Sequence, residues 1–437
     1  MGRLRQGLLG LLCLVSLLAT AAPASSATAP GYHWEVLDQS ELGRNQVTLI
    51  ALTSQQWRGI VWRHQLWLID PTRGHGASQA LLFIAGGSWP STGAPDTRLP
   101  REAPLFAALA QALEAPVAVL RQVPFQPLFD GLSEDALIAL TFERFLAEPN
   151  EESWPLLGPM VTSAVRAMDA LQALTQEWEQ PIEAFTLTGA SKRGWTTWLA
   201  GAADPRVAAI APMVFDILDM EAQLAHQRRV WGELSPQLGD YTERGLDAQL
   251  ATPAGQRLQA LVDPFQQREA LTQPKLVILA SNDAYWPVDA SNLYWEALPE
   301  PRHLLHLPNQ GHRARDLERL IPTLASFHRH VAEGSALPRL SWRYACEGEA
   351  VILEVTTDTR PQRAQAWVAQ APRRDFREAH WAPHPLTTTA ESHALRLPLP
   401  EAGYLALFGE LRFDDGATLS TQVRVIATDA GGGCEID

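Results

Sequence analysis

Between Val47 and Asp70, in VTLIALTSQQWRGIVWRHQLWLID, apolar and polar residues alternate on either side of Arg58-Gly59, a pattern that predicts an antiparallel hairpin. Beyond it the rhythm changes. QALLFIAGG, APVAVLRQV, IEAFTLTG, VAAIAPMVF, PKLVILAS and HLLHLPN are continuous apolar runs separated by longer stretches with helical spacing. A strand covered on both faces needs such an unbroken run, and interleaved helices make the strands parallel. The pattern predicts an α/β sheet within residues 30–334. Residues 216–264 are rich in Gln, Leu and Arg and contain no strand-like run. They read as a helical insertion above the carboxyl edge of the sheet, either a lid or a purely structural helical pair. From residue 335 to 437 the chain turns to short strands separated by turn residues, which predicts a small β-sandwich of immunoglobulin or fibronectin type, with the terminal GGGCEID as a flexible tail.

Length and composition agree with two domains, since 437 residues, 46% of them apolar, exceed what one core usually serves. The opening MGRLRQGLLGLLCLVSLLATAAPASSA has two arginines, a leucine-rich stretch too short to span a membrane comfortably, and small residues suited to a signal peptidase. Residues 1–27 are therefore read as a cleaved secretory signal, and no membrane span is expected in the mature chain. Leu11 and Leu12 before Cys13 are the wrong residues for a lipoprotein anchor. Loss of the two cations Arg3 and Arg5 takes the formal charge from −14 to −16, which disfavours phosphate-rich partners, nucleic acid among them. Cys346 and Cys434 then remain as an even pair in an oxidising compartment, as a disulfide or as two unpaired buried thiols.

The candidate chemistry centres on LTGASKRGWTTWLAG, residues 187–201, where Gly189-Ala190-Ser191 follows a strand-like run and opens a helix-like one. A serine on such a turn is either a helix cap or a nucleophile lifted above the sheet edge, with the backbone N–H of Lys192 facing the same side. The usual elbow has glycine two residues after the serine. Here Arg193 stands there, with Gly194 one further on. Chain order favours the nucleophile, because Asp283 ends a later strand in KLVILASNDAYWPVD and His312 follows the last in HLLHLPNQGHRA. A serine hydroxyl needs a base to take its proton, and the imidazole needs a carboxylate to orient it. Asp289 competes with Asp283, which could instead form only an Asx turn; His303 and His306 read as structural. Gly86-Gly87 in FIAGGSWPSTG ends an earlier strand and is either a second oxyanion donor region or a simple turn. Lys192 and Arg193 either favour an anionic substrate group, with Arg193 as the substrate-binding residue, or form ion pairs. Trp195 and Trp198 read as core rather than as a sugar platform. No metal-ligand spacing and no dinucleotide loop stands out, so neither a metal nor another cofactor is expected.

With these residues the chain resembles the PhoPQ-activated pathogenicity-related protein family of the α/β-hydrolase superfamily. The likeness runs from about Trp62 to about Val331 through LRQVPFQPL, EDALIALTFERFL, PMVTSAVRAMDALQ, GASKRGWTTWLAGAADPRVAAIAPMVFDILDM, LVDPF and YWPVDASNLYWEALP. It implies an α/β-hydrolase fold with Ser191, Asp283 and His312 at the triad positions, and makes Arg193 part of the family's GASKRGW motif. The elbow is also similar to that of glucuronoyl esterases, which place a cation directly after the serine, as Lys192 is here. The expectation is a secreted or periplasmic serine hydrolase acting on a small-molecule, peptide or saccharide ester or amide. The competing readings are a uronate-type esterase and a non-catalytic binding or signalling protein on the same scaffold. The C-terminal domain is left as a docking module for a protein or polymer.

Overall fold

The computed structural model describes residues 31–90, 93, 98–428 and 434–436, and the secretory signal expected in residues 1–27 lies outside them. The chain opens with β1 (His33–Leu42), β2 (Asn45–Trp57) and β3 (Ile60–Asp70), an antiparallel meander. Arg58 and Gly59 both take positive φ, 50° and 79°, the turn geometry whose twist matches two right-twisted strands. The six continuous apolar runs become β4 (Gln79–Ile84), β5 (Val117–Leu120), β6 (Ala184–Ala190), β7 (Val207–Met213), β8 (Lys275–Ala280) and β9 (Arg302–Leu307). All six are parallel to one another, and β5 meets β3 antiparallel. The sheet order is β1-β2-β3-β5-β4-β6-β7-β8-β9. The alternating meander and the continuous runs thus sort into the antiparallel edge and the doubly covered centre of one sheet.

Helices cover both faces. α1 (Ala103–Leu113), α2 (Glu134–Ala147), α3 (Leu157–Leu174) and α4 (Lys192–Ala203) follow in order. Adjacent residues on β4 show how the faces divide: Leu81 packs with Phe106 and Leu109 of α1, whereas Leu82 packs with Met160 of α3 and Trp198 of α4. Residues 216–264 carry α5 (Met220–Trp231), α6 (Gly239–Thr242), α7 (Leu246–Gln249) and α8 (Pro253–Val262), with no strand among the described residues. α9 (Leu317–Glu333) closes this part. No described helix is long and apolar enough to cross a membrane.

The C-terminal strands are β10 (Leu340–Glu347), β11 (Ala350–Thr357), β12 (Arg363–Ala371), β13 (Ala382–Pro385), β14 (Thr387–Thr388), β15 (His393–Pro398), β16 (Tyr404–Arg412), β17 (Thr418–Ser420), β18 (Arg424–Thr428) and β19 (Cys434–Ile436). They form two antiparallel sheets, β10-β11-β15-β14 and β13-β12-β16-β18-β19, with β17 joined to β16. Val351, Leu353 and Val355 of one sheet meet Ala366, Leu405 and Leu407 of the other in a shared core. That core continues into Leu320, Leu324 and Phe327 of α9, so the sandwich is fused to the outer helix layer. The expected flexible tail is corrected here: Cys434–Ile436 pairs with Ile426–Thr428 as an edge strand, and a disulfide ties Cys434 to Cys346 with Cα atoms 5.8 Å apart.

Candidate active site

β6 runs straight into the turn. Ser191 sits at φ 58°, ψ −127°, a sparsely populated region for an L-residue, which persists only where surrounding bonds enforce it. Its N–H donates to the Met213 carbonyl at 2.9 Å, and its carbonyl accepts from the Trp195 N–H at 2.9 Å. Two glycines permit the close approach. A Cβ on Gly189 would stand 2.8 Å from the Arg193 carbonyl oxygen, and one on Gly194 would stand 2.8 Å from the Met213 carbonyl oxygen. Gly194 therefore serves where α4 crosses β7, which is why the residue two after the serine is free to be Arg193. Gly194→Ala is expected to cost about 2–3 kcal/mol of stability, since backbone atoms cannot retreat as a side chain can. Denaturant unfolding of the variant measures it.

The loops after β8 and β9 bring Asp283 and His312 to this turn. His312 Nε2 lies 2.8 Å from Ser191 Oγ, and Nδ1 lies 3.0 and 2.8 Å from the two Asp283 carboxylate oxygens. A carboxylate only accepts, so the ring proton belongs on Nδ1 and Nε2 is left with a lone pair facing the serine hydroxyl. Asp283 is buried and its Oδ1 also accepts the Tyr285 N–H at 2.9 Å, so the Asx turn and the bond to His312 coexist. Asp289 is engaged elsewhere, 2.8 Å from His226 Nε2 and 2.5 Å from Arg374 Nη2. Burial pushes its carboxyl up, but these two partners outweigh burial and hold it low. His306 is buried against Phe408, with ring centroids 4.9 Å apart, and lies away from the triad. The Tyr285 ring stands over His312 at a centroid distance of 4.2 Å.

The two cations after the serine are neutralised by acids that the sequence reading did not single out. Both guanidinium edges of Arg193 are used: Nη1 and Nη2 donate to Glu134 at 2.8 and 2.7 Å, and Nε donates to the Val123 carbonyl at 2.6 Å. Lys192 Nζ pairs with Glu134 at 3.0 Å and Asp135 at 3.2 Å, with only 9% of its side chain exposed. Burial works to raise the Glu134 carboxyl, yet bonds from Arg193, the nearby charges and Gln126 bring it down to about 2. Of the two roles open to Arg193, the ion pair is present: three of its five N–H donors go to Glu134 and the Val123 carbonyl. Gly86 belongs to the same arrangement, because a Cβ there would stand 2.4 Å from Arg193 Nη2. Gly87 has φ 114°, a backbone conformation that favours glycine at that position of the β4 exit loop.

Ser191 lines a cavity of about 90 Å³ that opens to solvent on one side. Trp195, Phe215 and Trp286 form aromatic wall, and Leu224, Leu246 and Leu258 from the 216–264 segment close the other side. Trp195, expected as core alone, is both buried and a cavity wall, stacked on Phe215 at 5.0 Å. Trp198 is fully buried. Nearby, Tyr294 donates to Asp216 Oδ1 at 2.6 Å, and burial pushes the Asp216 carboxyl up to about 7. The C-terminal domain reaches the same rim: Asn282 Nδ2 donates to the carbonyls of Phe376, Arg377 and Ala379 at 3.2, 3.3 and 2.7 Å. Asn309 exchanges two bonds with the Trp381 backbone, at 2.9 and 2.8 Å.

A family profile described as PhoPQ-activated pathogenicity-related protein matches residues 24–377. Autocrine proliferation repressor protein A of Dictyostelium discoideum is 30% identical over 444 residues, covering 92% of this chain and 88% of that protein. Among solved structures, the chain is similar to acetyl xylan esterase 1 from Thermoanaerobacterium sp. JW/SL YS485, with 14% identity, a TM-score of 0.46, and 69% of this chain and 88% of that one covered. It is similar also to the glucuronoyl esterase from Solibacter usitatus, with 15% identity, a TM-score of 0.40, and 70% and 88% of the two chains covered.

Proposed function

The chain belongs to the PhoPQ-activated pathogenicity-related protein family, and on that footing we propose that it is a secreted or periplasmic serine hydrolase cleaving an ester or amide bond. The observation that carries the reading is the unbroken hydrogen-bonded line from Ser191 Oγ through His312 to Asp283, with contacts of 2.8 Å at each end of the imidazole. In the reaction so read, Ser191 Oγ attacks the substrate carbonyl carbon while its proton passes to His312 Nε2. Asp283 stabilises the resulting imidazolium. The carbonyl oxygen, now negative, would be met by the backbone N–H of Lys192 and by the Gly86-Gly87 loop, in water-poor surroundings at a helix N-terminus. Collapse breaks the bond to the leaving alcohol or amine, which takes the proton from His312. Water then repeats the sequence to release the acid from Ser191.

The Cys346–Cys434 disulfide supports an oxidising compartment, and the C-terminal two-sheet part is read as an immunoglobulin- or fibronectin-like sandwich able to dock a protein or polymer. The substrate is a small molecule, a peptide or a saccharide ester. A uronate ester, suggested by the cation after the serine, is less favoured, because Lys192 Nζ is already paired with Glu134 and Asp135. A second reading has its own motive: the Dictyostelium relative is named for repression of proliferation, which fits a signalling protein on a hydrolase scaffold. A fluorophosphonate probe separates the two. Stoichiometric labelling of the wild type is expected, with none in Ser191→Ala at unchanged thermal stability. Equal labelling of both, or of neither, would remove the nucleophile from the proposal.

A further inference from the structure

The cavity beside Ser191 has walls that suit one kind of group and reject another. Its aromatic side is built by Trp195 stacked on Phe215 and by Trp286, whose ring meets Phe215 edge-on at 6.4 Å; aliphatic side chains from α5, α7 and α8 face it. The charged groups on the lining are occupied, while the indole N–H of Trp286 is buried without a partner among the described residues. Asp135 accepts from Tyr241 Oη at 3.0 Å and pairs with Lys192 at 3.2 Å, and Asp247 pairs with Arg228 at 2.6 Å. A sugar entering here would find one free donor, the Trp286 indole N–H, and otherwise mostly hydrocarbon and satisfied ion pairs, at about 1–3 kcal/mol for each hydroxyl left without a partner. A hydrocarbon chain or an aromatic ring loses nothing comparable and gains from leaving water.

Resting on the serine-hydrolase reading above, we propose that this cavity is an acyl pocket, and that the protein acts on esters or amides of apolar carboxylic acids longer than acetate. The covalent step is the one already written. The acyl carbon becomes bonded to Ser191 Oγ, the bond to the leaving alcohol breaks, and the apolar remainder of the acid lies between Trp195 and Leu258. Each methylene that enters is worth a roughly threefold to fourfold gain in kcat/KM, on the basis of its removal from water. An octanoyl ester is accordingly expected to exceed the acetyl ester of the same alcohol at least about 80-fold, with four of its six additional methylenes accommodated or more.

The test uses the full secreted chain and p-nitrophenyl acetate, butyrate and octanoate, together with the fluorophosphonate probe. The wild type should show kcat/KM rising along the series. Leu258→Phe and Leu224→Phe, which narrow the cavity from two different helices, should each remove most of the octanoate-to-acetate ratio in kcat/KM, the ratio being read within each variant. A flat or falling series in an enzyme that turns over acetate and labels normally overturns the acyl pocket and leaves the serine hydrolase standing. Retention of the octanoate advantage in both variants, with folding intact, overturns the pocket as well. No labelling and no turnover of any ester overturns the underlying reading instead.

Discussion

On the proposed serine-hydrolase reading, His312→Ala is expected to lower kcat/KM on any ester turned over by roughly four to six orders of magnitude, with KM little changed. The ring holds both ends of the proton path, 2.8 Å from Ser191 Oγ and 2.8 Å from an Asp283 oxygen. Without it the serine keeps its proton at neutral pH and attacks no faster than an ordinary alcohol. Asp283→Asn should cost about 10⁴-fold for a different reason: the amide donates toward Nδ1, drives the proton to Nε2, and turns the face that should accept the serine proton into a donor. The double variant should be no worse than His312→Ala, because the three groups work as one device. Steady-state kinetics on the four proteins test this, and additive losses would mean that the triad members act separately.

Acidification supplies the second large effect. His306 is 1% exposed, neither ring nitrogen has a hydrogen-bond partner, and burial alone pushes its pKa down to about 3. The unfolded chain would hold that proton with a pKa near 6.5, so the folded form is favoured by a neutral ring, and this stability is present above pH 6.5 and lost as pH falls toward 3. At pH 4.5 the loss from this side chain amounts to about 2–3 kcal/mol relative to pH 7.5. His64 and His328, both buried and lowered to about 4, act in the same direction. Asp216 and Asp263, raised by burial to about 7 and about 6, act in the opposite one: their contribution is greatest at acid pH and is lost as pH rises through those values. His306→Leu is expected to remain folded, to be at least as stable as the wild type at pH 7.5, and to exceed it by about 2–3 kcal/mol more at pH 4.5. Urea unfolding at the two pH values measures the difference, and an equal change at both would mean that the ring does not titrate on unfolding.

The pattern of apolar positions made the central strands legible because burial on both faces leaves a continuous signature that turn residues interrupt. β1 escaped, since HWEVLDQSEL is an edge strand with much of its surface in solvent and no alternation to mark it. β19 escaped because only three residues pair and their order depends on a cysteine 88 positions away. At the site, Ser191, Asp283 and His312 each follow a strand at the carboxyl edge, so the turn around Ser191, the chain order and the family resemblance indicated them together, and the structure brings them within hydrogen-bond distance. Glu134 and Asp135 gave no such sign. Two acids opening a helix read as ordinary first-turn charges. Their pairing with Lys192 and Arg193 joins positions more than fifty residues apart, and no local pattern in the sequence reports that.

Composition divides the chain near residue 335, yet three backbone carbonyls between Phe376 and Ala379 converge on the amide of Asn282, next to Asp283 in the chain, and Asn309 is locked to Trp381 three residues before His312. The last part of the polypeptide is thereby a splint for two loops that the proposed hydrolase would have to keep still. A fragment ending at residue 334 would retain Ser191, Asp283 and His312 and lose the frame that holds the loops of two of them in line.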